Sequence, residues 1–221
     1  MNKELNKRLF TSVLLISLLF LMLQYSVVLI SSLLLIFVIS WIEINSIFEK
    51  ILNKNKGSTL QKFFIKFLIF LYLLFFIKVV VDEFLQNQPN VSWNLIFIIT
   101  ICILSDIGGY IFGKTFKGKK LTKISPNKTY SGMYGSFLLT ILFSLVYSYS
   151  ISFIDLEIIL FTSIVISAIC QIGDLFISYL KRKAKLKDTG NILPGHGGLL
   201  DRIDGILFAL PFGLIIINFI Y

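Results

Sequence analysis

Apolar residues in this chain run in long blocks separated by short polar segments, rather than in the short periodic runs of a soluble fold. About 20 consecutive apolar residues are needed for a helix to cross the ~30 Å hydrocarbon core of a bilayer. The first block, residues 9–42, has 34 residues, too many for one crossing. It reads as a tight pair of short spans turning at Gln24-Tyr25-Ser26. Further spans are expected at 63–81, 91–104, 132–154, 158–180 and 203–221. Lys66 and Lys78, near the ends of the 63–81 span, must extend their ammonium groups to the interface. The predicted fold class is all-α: a polytopic integral membrane helical bundle of about seven transmembrane helices.

Composition agrees with this reading and excludes others. Of 221 residues, 56 % are hydrophobic and 15 % charged, and the mean hydropathy is +0.86. Soluble domains run nearer 45–50 % apolar and about 25 % charged, so an ordinary soluble enzyme, a disordered chain and a disulfide scaffold are all excluded. The formal charge of +9 would suggest nucleic acid as a partner in a soluble protein. Here the excess sits in loops, where it signals topology and attraction to anionic lipid or phosphate, and no nucleic-acid partner is expected. Cys102 and Cys170 fall in apolar stretches without a CxxC pair or a neighbouring His, and read as packing residues.

Charge also orients the spans. Lys3, Lys7 and Arg8 mark a basic N-terminus that reads as an uncleaved membrane anchor. The 43–62 loop carries Lys50, Lys54, Lys56 and Lys62, the 113–131 loop has six lysines and no acid, and 181–187 holds five Lys/Arg. The alternate connections, at 24–26, at Asp82-Glu83 and at Asp155–Glu157, have neither Lys nor Arg. The alternation predicts a cytoplasmic N-terminus, an external C-terminus and both long loops on the cytoplasmic side. Leu, Ile, Phe, Asn and Lys are abundant, as in proteins of AT-rich genomes, which points to a bacterium and its cytoplasmic (inner) membrane.

Candidate chemistry lies where polar residues break the pattern. Asp174 sits inside the 158–180 span, about 9 Å from its cytoplasmic end. A carboxylate at mid-membrane costs about 2.5–3.5 kcal/mol. It therefore reads either as an ion-pair partner of Lys181 or Arg182, or as a catalytic or ion-binding group facing a polar cavity. Ser178, Lys181, Arg182 and Lys185 follow it at helical spacing and are expected on one face. Pro194-Gly195-His196-Gly197-Gly198 is a loop whose amides can cradle phosphate oxygens, and Asp201, Arg202 and Asp204 open the last span. Asp106, expected at a helix end with Gly108 and Gly109 after it, reads as a binding position. Ser125, Lys128 and Thr129 supply two hydroxyls and a cation within five residues, a grip for phosphate. Residues 108–115 satisfy GxxxxGK[ST], but a membrane span precedes them and a lysine-rich loop follows, which is not the strand–loop–helix context of a P-loop.

At these residues the sequence resembles the phosphatidate cytidylyltransferase (CDP-diacylglycerol synthase) family. The family pattern S-x-x-K-R-x4-K-D-x-G-x2-L-P-G-H-G-G-x2-D-R-x-D is met at every fixed position from Ser178 to Asp204. The likeness extends to Gly173-Asp174-Leu175, to residues 106–113 and to Ser125-Pro-x-Lys-Thr. The sequence departs from the family where Tyr130-Ser131-Gly132 replaces the frequent Trp-Glu-Gly, where Ile107 follows Asp106, and at Gly205, where Ser is common.

The resemblance implies CTP and phosphatidic acid as substrates, CDP-diacylglycerol and pyrophosphate as products, membrane lipids as surroundings and a homodimer as assembly. It implies Mg2+ held by Asp174 and Asp201, with Asp204 and Asp106 as further acids. Lys181, Arg182, Lys187 and Arg202 would clamp phosphates, with Asp188 and His196 in the same catalytic set. Ser125, Lys128 and Thr129 would hold the triphosphate, with Ser178, Gly197 and Gly198 also on substrate. His196 is expected to position substrate rather than act as base, because a phosphate monoester already ionises near pH 6. On this reading residues 1–90 form an N-terminal region of about three spans, and 91–221 form the catalytic transmembrane region with loops 113–131 and 181–202. Two alternatives remain at this point: a CTP-dependent transferase acting on another membrane lipid, and an ion-coupled transporter.

Overall fold

A computed structural model describes residues 3–54, 58–87, 92–122, 125, 127–150, 155–193 and 197–220. Seven α-helices and no strands are present among the described residues: α1 (Lys3–Gln24), α2 (Ser26–Lys54), α3 (Thr59–Gln86), α4 (Trp93–Phe116), α5 (Tyr130–Ser150), α6 (Leu156–Lys183) and α7 (Leu200–Ile220). The all-α prediction therefore holds, and the first apolar block does break at Tyr25. Among the described residues, six helices, α2 to α7, are long and apolar enough to cross a membrane. In α1 the apolar run among the described side chains is Phe10–Gln24.

Several helices outrun their apolar stretches. The run in α2 was expected to end at residue 42, but the helix continues to Lys54, because Ile44, Ile47 and Ile51 carry a buried stripe onward at helical spacing. The span expected at 91–104 continues to Phe116 in α4, so Asp106 lies within a helix rather than at its end. Residues 108–115 are helical throughout, which removes any P-loop geometry.

The chain divides into two compact units. One comprises residues 1–92 and 180–203, and the other residues 93–179 and 204–221. In the first, α2 and α3 pack through edge-to-face rings, Phe37 and Trp41 each on Phe70 at 5.6 and 5.5 Å. Lys66 Nζ meets Glu49 Oε1 at 2.7 Å on an exposed face, in keeping with an ammonium group reaching out of the apolar layer. Ser58-Thr-Leu-Gln61 forms a capping box that starts α3: Gln61 N–H donates to Ser58 Oγ at 3.2 Å, and Ser58 N–H to Gln61 Oε1 at 3.1 Å.

In the second unit, α4 and α5 approach through small residues. A Cβ on Gly108 would collide with the Gly135 carbonyl, and one on Gly132 would lie 2.7 Å from the Gly109 carbonyl oxygen. Close helix contact through Gly and Ser is how membrane helices associate when lipid leaves no hydrophobic drive between them. Ser136 Oγ seals the seam by donating to the Ser105 carbonyl at 2.6 Å. Ser105 and Ser167 hydroxyls, 3.0 Å apart, tie α4 to α6. Cys102 and Cys170 are buried free thiols, with the Cys170 sulfur packed against Gly205.

Candidate active site

The second unit contains a cavity of about 260 Å3. Ser105, Asp106 and Gly109 of α4 line it, with Gly132 and Ser136 of α5, Gln171 and Asp174 of α6, and Ser125, Asn127, Lys128 and Thr129 of the α4–α5 connection. The volume lies a little below the ~300–1,000 Å3 of sites that enclose a whole small ligand, so it suits part of a substrate.

The connection is shaped by its ends. Lys117 and Gly118 adopt positive φ of 52° and 103°, turning the chain off α4. Ser131 Oγ donates to the Lys117 carbonyl. Leu121 N–H to Lys128 O (2.8 Å) and Tyr130 N–H to Lys119 O (3.1 Å) then zip the two legs together. Thr129 caps α5, its Oγ1 accepting from Gly132 N–H at 3.1 Å. A turn closed by Lys128 N–H on Ser125 O at 3.1 Å brings Ser125 and Lys128 to the cavity.

Lys128 Nζ forms an ion pair with Asp174 Oδ2, and Ser178 Oγ donates to Asp174 Oδ1 at 3.3 Å. The ion-pair reading of Asp174 named Lys181 or Arg182 as partner; the partner is Lys128. Asp106 lines the same cavity as this pair. Asp174 also has Gly173 beside it, where a Cβ would sit 2.7 Å from the Phe208 ring and 3.0 Å from the Asp204 carbonyl oxygen. Gly173 therefore serves close packing of α6 on α7. Asp204 is half-buried, and its Oδ1 accepts from Gly205 N–H at 2.9 Å.

The other unit gathers a second set. The lysine run does not stay on one helix face. α6 ends at Lys183, and Lys185 turns to φ 57°. Leu186 N–H on Lys181 O and Lys185 N–H on Arg182 O close a Schellman-type end. Lys185 thus leaves the row of Ser178, Lys181 and Arg182 expected of a continuing helix. Arg182, Lys187, Asp188 and Arg202 are exposed, and Arg182 donates to the Leu186 carbonyl at 3.1 Å.

Lys181 returns to Asp201, Nζ to Oδ1 at 2.6 Å, with side chains only 11 % and 7 % exposed. Asp201 Oδ2 accepts from Thr189 N–H (2.8 Å) and Gly198 N–H (3.1 Å), and Thr189 Oγ1 lies 3.1 Å from it. The Gly198 amide, expected on a phosphate, is thus committed to Asp201. Gly197 holds φ 84°, and its carbonyl accepts from Leu193 N–H at 2.9 Å. His196 lies outside the described residues.

Beneath this loop is a residue the sequence did not single out. Glu43 of α2, 3 % exposed, accepts from Leu199 N–H (3.0 Å), Leu200 N–H (2.9 Å) and Thr189 Oγ1 (2.8 Å). Its one sequence signal is the stripe Ile44, Ile47 and Ile51, which continues α2 past the apolar block and puts Glu43 on the buried side. Thr189, Asn127 and Gln171 also went unremarked as site residues.

A model of the cytidylyltransferase family matches residues 2–220. The chain belongs to this family. It is 40 % identical over 157 residues to a Rickettsia typhi protein named phosphatidate cytidylyltransferase, a match covering 66 % of this chain and 68 % of that protein. It is 42 % identical over 133 residues to a Staphylococcus epidermidis protein of the same name, covering 58 % of this chain and 50 % of that one. It is 39 % identical over 137 residues to another so named from Bacillus subtilis, covering 58 % and 50 %. These matches span about half to two-thirds of the curated relatives' own length. Family membership makes this chain a nucleotidyltransferase by kinship, and the ion-coupled transporter reading gains no support from these relatives.

Proposed function

We propose that this membrane protein transfers CMP from CTP to phosphatidic acid, giving CDP-diacylglycerol and pyrophosphate. The observation that carries the reading is the Lys128–Asp174 pair lining a cavity in a chain that the cytidylyltransferase family model matches over residues 2–220. The relatives' names supply the acceptor.

Two polyanions must meet, so neutralising charge is the main task. A phosphatidate oxygen attacks the α-phosphorus of CTP in line, the α–β bridging bond breaks, and pyrophosphate departs with its electron pair. Lys128, with the hydroxyl of Ser125 and the amide of Asn127 on the same cavity wall, would grip the triphosphate. Lys181, Arg182, Lys187 and Arg202 supply cations for the phosphates of either substrate.

The cavity fits a hard divalent cation. Its acids, Asp106 and Asp174, stand with the oxygens of Ser105 and Gln171, an oxygen donor set. Among the described residues no three His, Cys, Asp or Glu side chains form a ready cage. That suits Mg2+, which commonly binds through one or two carboxylates plus substrate phosphates. Asp174 and Asp106 would hold it there. When bound, the cation supplies charge neutralisation and polarises phosphoryl oxygens.

Counting α2 to α7 as crossings puts the basic connections at 55–58, 117–129 and 184–199 on one side whatever α1 does. The positive-inside bias makes that side the cytoplasm of a bacterial inner membrane. The test is purified protein with labelled CTP, Mg2+ and phosphatidic acid, scored for lipid-linked CDP and equimolar pyrophosphate, with an EDTA control. Label transferred only to a different lipid phosphate would overturn the acceptor. Absence of any transfer would overturn the activity.

A further inference from the structure

Glu43 takes its hydrogen bonds from two backbone amides and one hydroxyl, all from the 189–200 stretch of its own unit. The amides belong to the residues that open α7, where the first N–H groups lack helical partners and the helix dipole favours an anion. Two glycines leave room for it. A Cβ on Gly190 would lie 2.7 Å from Glu43 Oε1, and a Cβ on Gly198 would lie 2.7 Å from both carboxylate oxygens. The loop is thus moulded around this side chain.

Thr189 joins Glu43 to Asp201. Its Oγ1 is 2.8 Å from Glu43 Oε2 and 3.1 Å from Asp201 Oδ2, while its own N–H donates to that same Asp201 oxygen. One hydroxyl hydrogen cannot serve both carboxylates. The shorter contact assigns it to Glu43, leaving Asp201 Oδ2 to the Thr189 and Gly198 amides. With Oδ2 fixed by the loop, Asp201 presents Oδ1 to Lys181. We propose that Glu43 is a positioning residue: it acts through Thr189 and the start of α7 to hold Asp201 and Lys181 in the geometry the transfer requires.

The proposal rests on the cytidylyltransferase reading for its kinetic part and on the loop geometry for the rest, so the experiment separates the two. Glu43→Ala and Glu43→Gln are compared with Glu83→Ala. Glu83 is an equally buried acid, 3 % exposed, held by Ser92 and Asn87 at the end of α3. All are assayed well below their unfolding temperatures.

Glu43→Ala should lower kcat by about 10- to 100-fold, as for residues that orient a ligand-holding side chain, with KM for CTP changed less than threefold. Glu43→Gln, which keeps one acceptor oxygen, should recover part of that loss. Glu83→Ala should lower the unfolding temperature and leave kcat within about twofold of wild type. Tryptic cleavage after the exposed Lys185 and Lys187 should accelerate in Glu43→Ala and not in Glu83→Ala. Equal loss of kcat in both alanine variants, or unchanged cleavage in Glu43→Ala, overturns the proposal. If wild type makes no CDP-lipid, the activity reading falls, and the cleavage pattern still decides whether Glu43 holds the loop.

Discussion

Lys181 and Asp201 offer a quantitative check on the loop. The pair is mostly buried, at 11 % and 7 % side-chain exposure, with 2.6 Å between Nζ and Oδ1. Removing one member of a buried ion pair costs about 3–5 kcal/mol, because the survivor keeps an uncompensated charge. In Lys181→Met, Asp201 Oδ2 still accepts from the Thr189 and Gly198 amides, which puts the cost near the low end, about 3 kcal/mol. Asp201→Asn keeps one oxygen for those donors but turns an amide toward the ammonium, and should cost a similar amount. The double variant removes both charges, so its cost should fall below the sum of the singles by about 2–3 kcal/mol. Purified protein in mixed micelles, unfolded by an SDS titration and followed by tryptophan fluorescence, measures all four corners of the cycle. A coupling below about 0.5 kcal/mol would refute the reasoning, since it would mean that water rather than the protein answers the Asp201 charge.

Other outcomes follow from the second unit. Asp174→Asn should abolish CDP-lipid formation while leaving membrane insertion intact; near wild-type turnover at saturating Mg2+ would remove Asp174 from the cation site. Lys128→Ala should raise KM for CTP more than KM for phosphatidate, and the reverse would move the 117–129 connection to the lipid. Gly108→Ala forces a Cβ against backbone atoms of Gly135 and Ser136 that cannot rotate aside. It should destabilise by about 1–3 kcal/mol in the same titration, and a neutral result would show that the α4–α5 seam is looser than described.

The sequence disclosed the helices more fully than their ends. Apolar blocks located every long helix and the break at Tyr25, because the bilayer imposes a length that hydropathy reports directly. Two ends were missed for one reason: polarity was read as loop. Residues 43–54 are polar on one side only, and Gly108, Gly109 and Gly113 look like helix breakers when they are in fact the faces that let α4 lie against α5. Among site residues, Asp174 was legible as a charge with no place in lipid, Asp106 as an acid expected at a helix end and Lys128 as a cation in a phosphate grip, and the structure gathers all three around one cavity. Which lysine meets which aspartate was not legible, because Lys128 and Asp174 lie 46 positions apart and helical spacing carries no information about that. Glu43 was hidden more deeply. Its partners at Leu199 and Leu200 are main-chain amides, which every residue but proline possesses and no side chain advertises.

The hold of Glu43 on Leu199 and Leu200 bears on how the chain can be cut. Residues 91–221 contain the whole recognisable signature and look portable, with the first ninety positions serving as mere moorings. Such an excised piece would leave the opening amides of α7 facing a void where an acid belongs. The signature is therefore not self-sufficient. It borrows its footing from a part of the chain that bears no motif at all, and any chimera that swaps the early helices must bring a carboxylate to that same spot.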